Sequence, residues 1–165
     1  MQVQEFANGF STFIAQNMGA KKQDRIMKGI RAAVYTAVSY CIVVSLLLWI
    51  FAKQLMLIFI SPEETAILSE GIRYLHIEGT FYWGIGCLFL FYGLYRALGK
   101  PMMSVVLTVV SLGTRVALAY MLSAIPAIGV AGIWWSVPIG WILADLVGLF
   151  YFILKKDTLL RNCES

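Results

Sequence analysis

Twenty-one consecutive residues of this chain, from Ala32 to Ala52, contain no charged side chain. A helix of about 20 mostly apolar residues is long enough to cross the hydrocarbon core of a bilayer. Over the whole chain, 60% of the residues are hydrophobic and 13% are charged, whereas about 25% are charged in a typical soluble domain. The sequence therefore predicts an all-α integral membrane protein that forms a single membrane domain.

The apolar stretches predict about four complete transmembrane helices and one truncated helix. The truncated helix comes first, since it is too short and too polar at its start to insert alone, and we expect its outer part to lie upstream of Met1. The predicted segments are a truncated helix over 1–18, a basic cytoplasmic loop over 19–31, transmembrane helices over 32–52, 72–98, 102–122 and 128–154, and a cytoplasmic tail over 155–165.

The connection before the second complete span contains the run Ser61-Pro62-Glu63-Glu64. This order predicts the start of a helix, with Ser61 as the N-cap, Pro62 at the first helical position and Glu64 three residues after the cap. The helix begins amphipathic and continues into the span over 72–98, so part of the connection is expected to lie in the membrane interface. Pro101 in turn predicts the first residue of the following helix.

The lysines and arginines predict the orientation of the chain. Of the 13 such residues, ten fall in segments on one side of the membrane, two fall on the other side, and Arg115 falls within a span. Half of the ten belong to the basic loop: Lys21, Lys22, Arg25, Lys28 and Arg31. Because cytoplasmic loops carry an excess of lysine and arginine, this side is predicted to face the cytoplasm. The same clustering accounts for the net charge of +4, and no nucleic-acid partner is expected.

Two charged residues fall at similar depth on neighbouring antiparallel spans, Glu78 and Arg115. Charged side chains within a membrane are costly, and they either pair or serve a function. One interpretation is a structural ion pair near the outer interface. The other makes Glu78 a cation or proton site with His76 nearby, although residues two apart on a helix point to different sides.

Asp145 is the more isolated acid, deep in the last span and seven residues after Pro138. Seven residues make almost two helical turns, so both lie on nearly the same face. Pro138 also leaves the carbonyl of Trp134 without its helical donor. A bend and a carboxylate on one face are typical of a cavity wall. The alternative is that Asp145 lies close enough to the inner interface to be hydrated.

Catalytic chemistry finds no support in the sequence. There is no pairing of a nucleophile with a base, no phosphate-binding loop and no metal-ligand spacing. We therefore expect neither an enzyme nor a metal site, and no cofactor beyond a coupling ion, Na⁺ or H⁺, if the protein transports.

Three stretches resemble the multidrug and toxic compound extrusion (MATE) transporters. STFIAQNMGAKKQDRIMKGIR is similar to a helix end with an AQN-GA turn and a basic loop, and GLYRALGKPM followed by RVALAY is similar to a turn and the next helix of that family. GVAGIWWSVPIGWILADLVGLFYFI resembles the family's last span. The three stretches follow the order of the family's C-terminal half.

This resemblance implies a twelve-helix transporter of two six-helix lobes that exports small organic cations in exchange for Na⁺ or H⁺. The chain would form part of the C-terminal lobe, with the missing N-terminal lobe as its partner, as a multi-pass protein of the inner (plasma) membrane. Some branches carry a cation-binding acid in the tenth span, where this chain has Ile85. That departure fits branches whose coupling carboxylate lies in the first span.

Two rival functions stay open. A lipid-linked oligosaccharide flippase of the same superfamily is favoured by several arginines in the cavity, since they bind pyrophosphate, and only Arg115 is available in these spans. A non-transporting membrane scaffold is favoured if the complete protein lacks a central cavity.

Overall fold

The computed structural model describes residues 2–126 and 128–161, and these residues form helices and turns without a strand. The helices are α1 (Gln2–Gly19), α2 (Gln23–Leu57), α3 (Thr65–Thr80), α4 (Tyr82–Ala97), α5 (Pro101–Ser123) and α6 (Ala131–Arg161). Three of them, α2, α5 and α6, are long and apolar enough to cross a membrane. The helices α3 and α4 form a fourth candidate span that is bent by 48°. The prediction of an all-α membrane protein with about four spans is confirmed.

The predicted basic loop over 19–31 is much shorter in the structure. Helix α2 begins at Gln23, so that Arg25, Lys28 and Arg31 are helical and only residues 20–22 connect the two helices. Lys21 adopts a left-handed conformation, with φ 56, in this tight turn. The difference has a physical reason, because lysine, arginine and glutamine favour helices and a helix of 35 residues extends well beyond a hydrocarbon core of about 30 Å.

The predicted helix start at Ser61 is wrong. Residues 61–64 form a turn in which the amide of Glu64 donates to the carbonyl oxygen of Ser61 at 3.1 Å, and α3 begins only at Thr65. Glu64 occupies the N-cap position without a side-chain hydrogen bond. The physical reason is that proline suits two local structures. It favours the first position of a helix, and it also favours the second position of a four-residue turn.

The predicted span over 72–98 is two helices rather than one. It breaks at Phe81, whose amide donates to the carbonyl of Gly79 instead of continuing the helical pattern. The last helix is longer than predicted, because α6 continues through the expected start of the tail at residue 155 as far as Arg161. The rest of the predicted tail, residues 162–165, lies outside the described residues, as does Met1.

Helix α4 lies at the centre of the bundle and packs against α1, α2, α5 and α6. A Cβ at Gly93 would lie 2.6 Å from the carbonyl oxygen of Ala7, so that only glycine allows this approach of α1 to α4. On another side of α4, the buried Tyr95 hydroxyl donates to the carbonyl oxygen of Gly148 on α6 at 2.5 Å. These contacts fix the positions of α1 and α6 against α4.

Candidate functional site

A cavity of about 340 Å³ lies between α1, α2, α4 and α6, and we call it the Asp145 cavity. Its walls are almost entirely apolar, and Asp145 is its one acidic residue. The lining residues are Phe10 of α1, Ile30 and Val34 of α2, Trp83, Cys87, Leu90, Phe91 and Leu94 of α4, and Ile142, Asp145, Leu146 and Leu149 of α6. The cavity is therefore an apolar pocket with a single carboxylate.

Both carboxylate oxygens of Asp145 are buried, and neither has a hydrogen-bond partner within the described part of the chain. Buried polar groups are nearly always hydrogen-bonded, so the unpaired carboxylate of Asp145 is an exception to the usual pattern. A Cβ at Gly84 would lie 3.9 Å from the Oδ2 atom of Asp145 and 3.5 Å from the Cβ atom of Trp141. Gly84 thus places the backbone of α4 next to the carboxylate.

Asp145 lies ten residues before Lys155 in the continuous helix α6. At a rise of 1.5 Å per residue this is about 15 Å along the helix axis, or half of a hydrocarbon core about 30 Å thick. If Lys155 marks a membrane surface, the carboxylate is near the middle of the membrane.

Pro138 does not line the Asp145 cavity, although the sequence places both residues on one face of α6. Its side chain is fully buried in the bundle. Two turns of helix separate the two residues by about 10 Å along the axis of α6. The helix continues through Pro138, and the expected shared wall of proline and carboxylate is not observed.

Glu78 on α3 and Arg115 on α5 lie within range of a Coulombic interaction. The Tyr74 hydroxyl, one turn before Glu78 on α3, adjoins the Glu78 carboxylate. The Tyr74 ring packs against Trp134 of α6 with ring centroids 5.9 Å apart. A Cβ at Gly140 would lie 3.2 Å from the Cγ atom of Arg115, so that α6 also packs on this group. Glu78 and Asp145 do not line a common cavity.

His76 lies on a different side of α3, as expected from its spacing to Glu78. Its ring stacks on that of Trp49 from α2, with centroids 4.2 Å apart and planes 7° from parallel. The five cations of the predicted basic loop are all exposed and cluster at the α1–α2 end of the bundle.

Sequence reasoning missed a polar contact between α1 and α4. The Nη2 atom of Arg96 donates to Oδ1 of Asn8 at 2.8 Å, and the Asn8 amide donates to Glu5 at 3.4 Å. The three-residue spacing of Glu5 and Asn8 on one helical face was the available signal. It also missed that Trp83 and Cys87 share the cavity with Asp145, for which their four-residue spacing was the only indication.

No group of three or more histidine, cysteine, aspartate or glutamate side chains is close enough to hold a metal ion among the residues that the structure describes. The fold and the cavity together define an α-helical integral membrane protein with a carboxylate-bearing apolar pocket. Residues 1–121 match the MatE family, and the chain belongs to this family. The match ends within α5, so that Asp145 lies beyond it.

The chain is similar to the probable multidrug resistance protein YoeA of Bacillus subtilis (strain 168), with 27% identity over 156 residues. The aligned region covers 92% of this chain and 33% of that protein, so the chain spans about a third of its relative's length. No solved structure matches.

Proposed function

We propose that this chain is the C-terminal part of a secondary-active multidrug antiporter that exports small organic cations in exchange for Na⁺ or H⁺. The support is the family membership, a relative named as a probable multidrug resistance protein, and one structural observation. That observation is the unpartnered carboxylate of Asp145 in an apolar cavity. We infer a multi-pass location in the inner (plasma) membrane, with the basic α1–α2 end in the cytoplasm.

The chemistry of the Asp145 cavity suits a lipophilic cation. Its volume of about 340 Å³ is in the range of ligand pockets, about 300–1,000 Å³. The rings of Phe10, Trp83 and Phe91 offer apolar and cation–π contact to such a ligand. The carboxylate supplies the opposite charge, and its full hydrogen-bonding capacity is available because no described residue uses it.

Exchange follows if the cation and the coupling ion compete for the same carboxylate. Binding of either one then lowers the affinity for the other, and this coupling is reciprocal. The depth of about 15 Å from Lys155 favours this interpretation over a hydrated surface group.

The position of Asp145 is also relevant to the cation-binding acid that some branches of the family carry in the tenth span and that this chain lacks there. Ile85 occupies that position, and its neighbour Gly84 adjoins the Oδ2 atom of Asp145. A carboxylate from α6 thus reaches the level at which other branches present one from the tenth span. We assign Asp145 the cation-binding role, and Pro138 the role of allowing α6 to bend above it. Glu78 with Arg115 we assign to a structural pair, and we expect the N-terminal lobe to complete the transport path.

The experiment measures export of a fluorescent organic cation from membrane vesicles that contain the transporter bearing this chain, under an imposed Na⁺ or H⁺ gradient. Asp145→Asn is expected to lose gradient-driven export while its amount in the membrane is unchanged. Asp24→Asn, which alters an exposed acid in the first turn of α2, is the matched control and should transport normally. Two outcomes would contradict the proposal. One is equal export by Asp145→Asn and the unaltered protein, and the other is export whose rate does not depend on either gradient.

A second measurement reports binding separately from transport. Cys87 lines the Asp145 cavity, and the other two cysteines of the chain can be replaced by serine. A bound organic cation is then expected to slow the reaction of Cys87 with a maleimide, and Asp145→Asn should abolish this protection. Protection that persists in Asp145→Asn would assign the cation to another site.

A further inference from the structure

A second large cavity, of about 540 Å³, lies at the opposite end of the bundle from the basic α1–α2 turn. It opens between α2, α3 and the first turns of α6, and we call it the Arg73 cavity. The lining residues are Trp49, Ser69, Ile72, Arg73, His76, Ile77, Thr80, Phe81 and Trp135. None of them belongs to the Asp145 cavity.

The charge of this lining is positive. Arg73 is exposed, and no acidic residue lines the cavity. Glu70 borders a neighbouring cavity that shares Arg73 but not this one. The spacings of Ser69, Arg73 and His76, four and then three residues, put all of them on one face of α3. The cavity therefore suits an anionic group.

The lining of the cavity combines polar groups with apolar and aromatic groups along the length of α3. From Ser69 to Thr80 the helix advances by about 16 Å, at 1.5 Å per residue. Ser69 and Arg73 come first along α3, whereas Thr80 and Phe81 come last, and Phe81 packs on Trp135 with centroids 5.7 Å apart. Tryptophan is enriched where headgroups meet acyl chains. A phospholipid likewise joins an anionic headgroup to apolar chains.

The aromatic wall is fixed by hydrogen bonds before any ligand binds. Nε1 of Trp49 donates to Oγ1 of Thr80 at 3.1 Å, and Thr80 Oγ1 donates to the carbonyl oxygen of His76 at 2.6 Å. His76 stacks flat on Trp49. Such preorganisation lowers the ordering cost of binding.

We propose that the Arg73 cavity binds an anionic glycerophospholipid of the leaflet at this end of the protein. The guanidinium of Arg73 pairs with the phosphate, for which its planar fork of donors is well suited. One acyl chain lies along Trp49, Ile77 and Phe81. This site is independent of the proposed transport function, because no residue of the Asp145 cavity takes part.

The test is native mass spectrometry of the detergent-purified protein titrated with phosphatidylglycerol or with phosphatidylcholine of the same chains. Phosphatidylglycerol is expected to bind more tightly, and Arg73→Gln should weaken its binding about tenfold, as loss of a charge-assisted hydrogen bond would. Lys53→Gln is the matched control, since Lys53 is also an exposed cation at this end but lies outside the lining. Arg73→Lys should retain more binding than Arg73→Gln.

Three results would overturn the proposal. They are equal affinity for the two lipids, unchanged phosphatidylglycerol binding in Arg73→Gln, and an equal loss in Lys53→Gln. A competition experiment with a soluble phosphate distinguishes a lipid site from a site for free phosphate. Glycerol 3-phosphate in excess is expected to leave the lipid bound, and its effective competition would identify a site for a soluble phosphate instead.

Discussion

Replacing Gly93 with alanine is expected to destabilise the helix bundle, because α1 and α4 meet there through their backbones. The new Cβ would lie 2.6 Å from the carbonyl oxygen of Ala7, well inside the ordinary contact range of 3.4–4 Å. The close atom belongs to the backbone of α1 and has no rotamer that could move it away. The helix itself must shift, and with it the Phe10 side of the Asp145 cavity.

The size of the effect follows from two opposing contributions. Overpacking a close contact costs roughly 1–3 kcal/mol, while alanine in place of glycine within a helix contributes about 0.5–1 kcal/mol in the other direction. We expect a net loss of about 0–2.5 kcal/mol in the free energy of unfolding, with a midpoint of about 1 kcal/mol.

The assay is equilibrium unfolding of the purified protein in mixed micelles, followed by circular dichroism. Gly113→Ala is the matched control, because Gly113 lies within α5 and a Cβ there meets nothing within 4 Å. This control should be as stable as the unaltered protein or slightly more so. If Gly93→Ala proved as stable as Gly113→Ala, the close approach of α1 to α4 would be refuted.

Two further changes test the contacts around the cavity. Tyr95→Phe removes the buried hydroxyl that donates to Gly148 and should lower the free energy of unfolding in the same assay by about 0.6–1.5 kcal/mol; Tyr120→Phe, at an exposed ring, should not. Glu78→Gln leaves Arg115 without its carboxylate and should reduce the folded yield measured by size-exclusion chromatography, and adding Arg115→Gln should restore that yield. A full yield from Glu78→Gln alone would argue against the structural pair.

The spans were predictable because the signal in each extends over about 20 residues. Helix α5 differs from its predicted bounds of 102–122 by only one residue at each end. The start was predictable because proline is common at the first position of a helix, which Pro101 occupies. The beginning of α2 was not predictable from charge. Lysine and arginine locate the side of the membrane, but they also favour a helix, so the basic segment continues α2 instead of forming a loop.

The acid of the site was visible in the sequence, whereas its cavity was not. An aspartate among apolar residues stands out because charge within a span is costly. Which residues face it depends on how four helices are rotated about their axes, and no local pattern encodes this rotation. Phe10, Val34 and Trp83, which come from three other helices, meet Asp145 only in the packed bundle.

The break between α3 and α4 packs against the first turns of α6, on the N-terminal side of Pro138 and Asp145. Phe81, at the break, packs on Trp135, and Gly84, in the first turn of α4, adjoins Asp145. Pro138 lies between these two contacts along α6 and interrupts its hydrogen bonding. Backbone irregularity at membrane depth is tolerated where it is buried in protein or lines a cavity. A change of bend at Phe81 or at Pro138 would therefore cost few further hydrogen bonds.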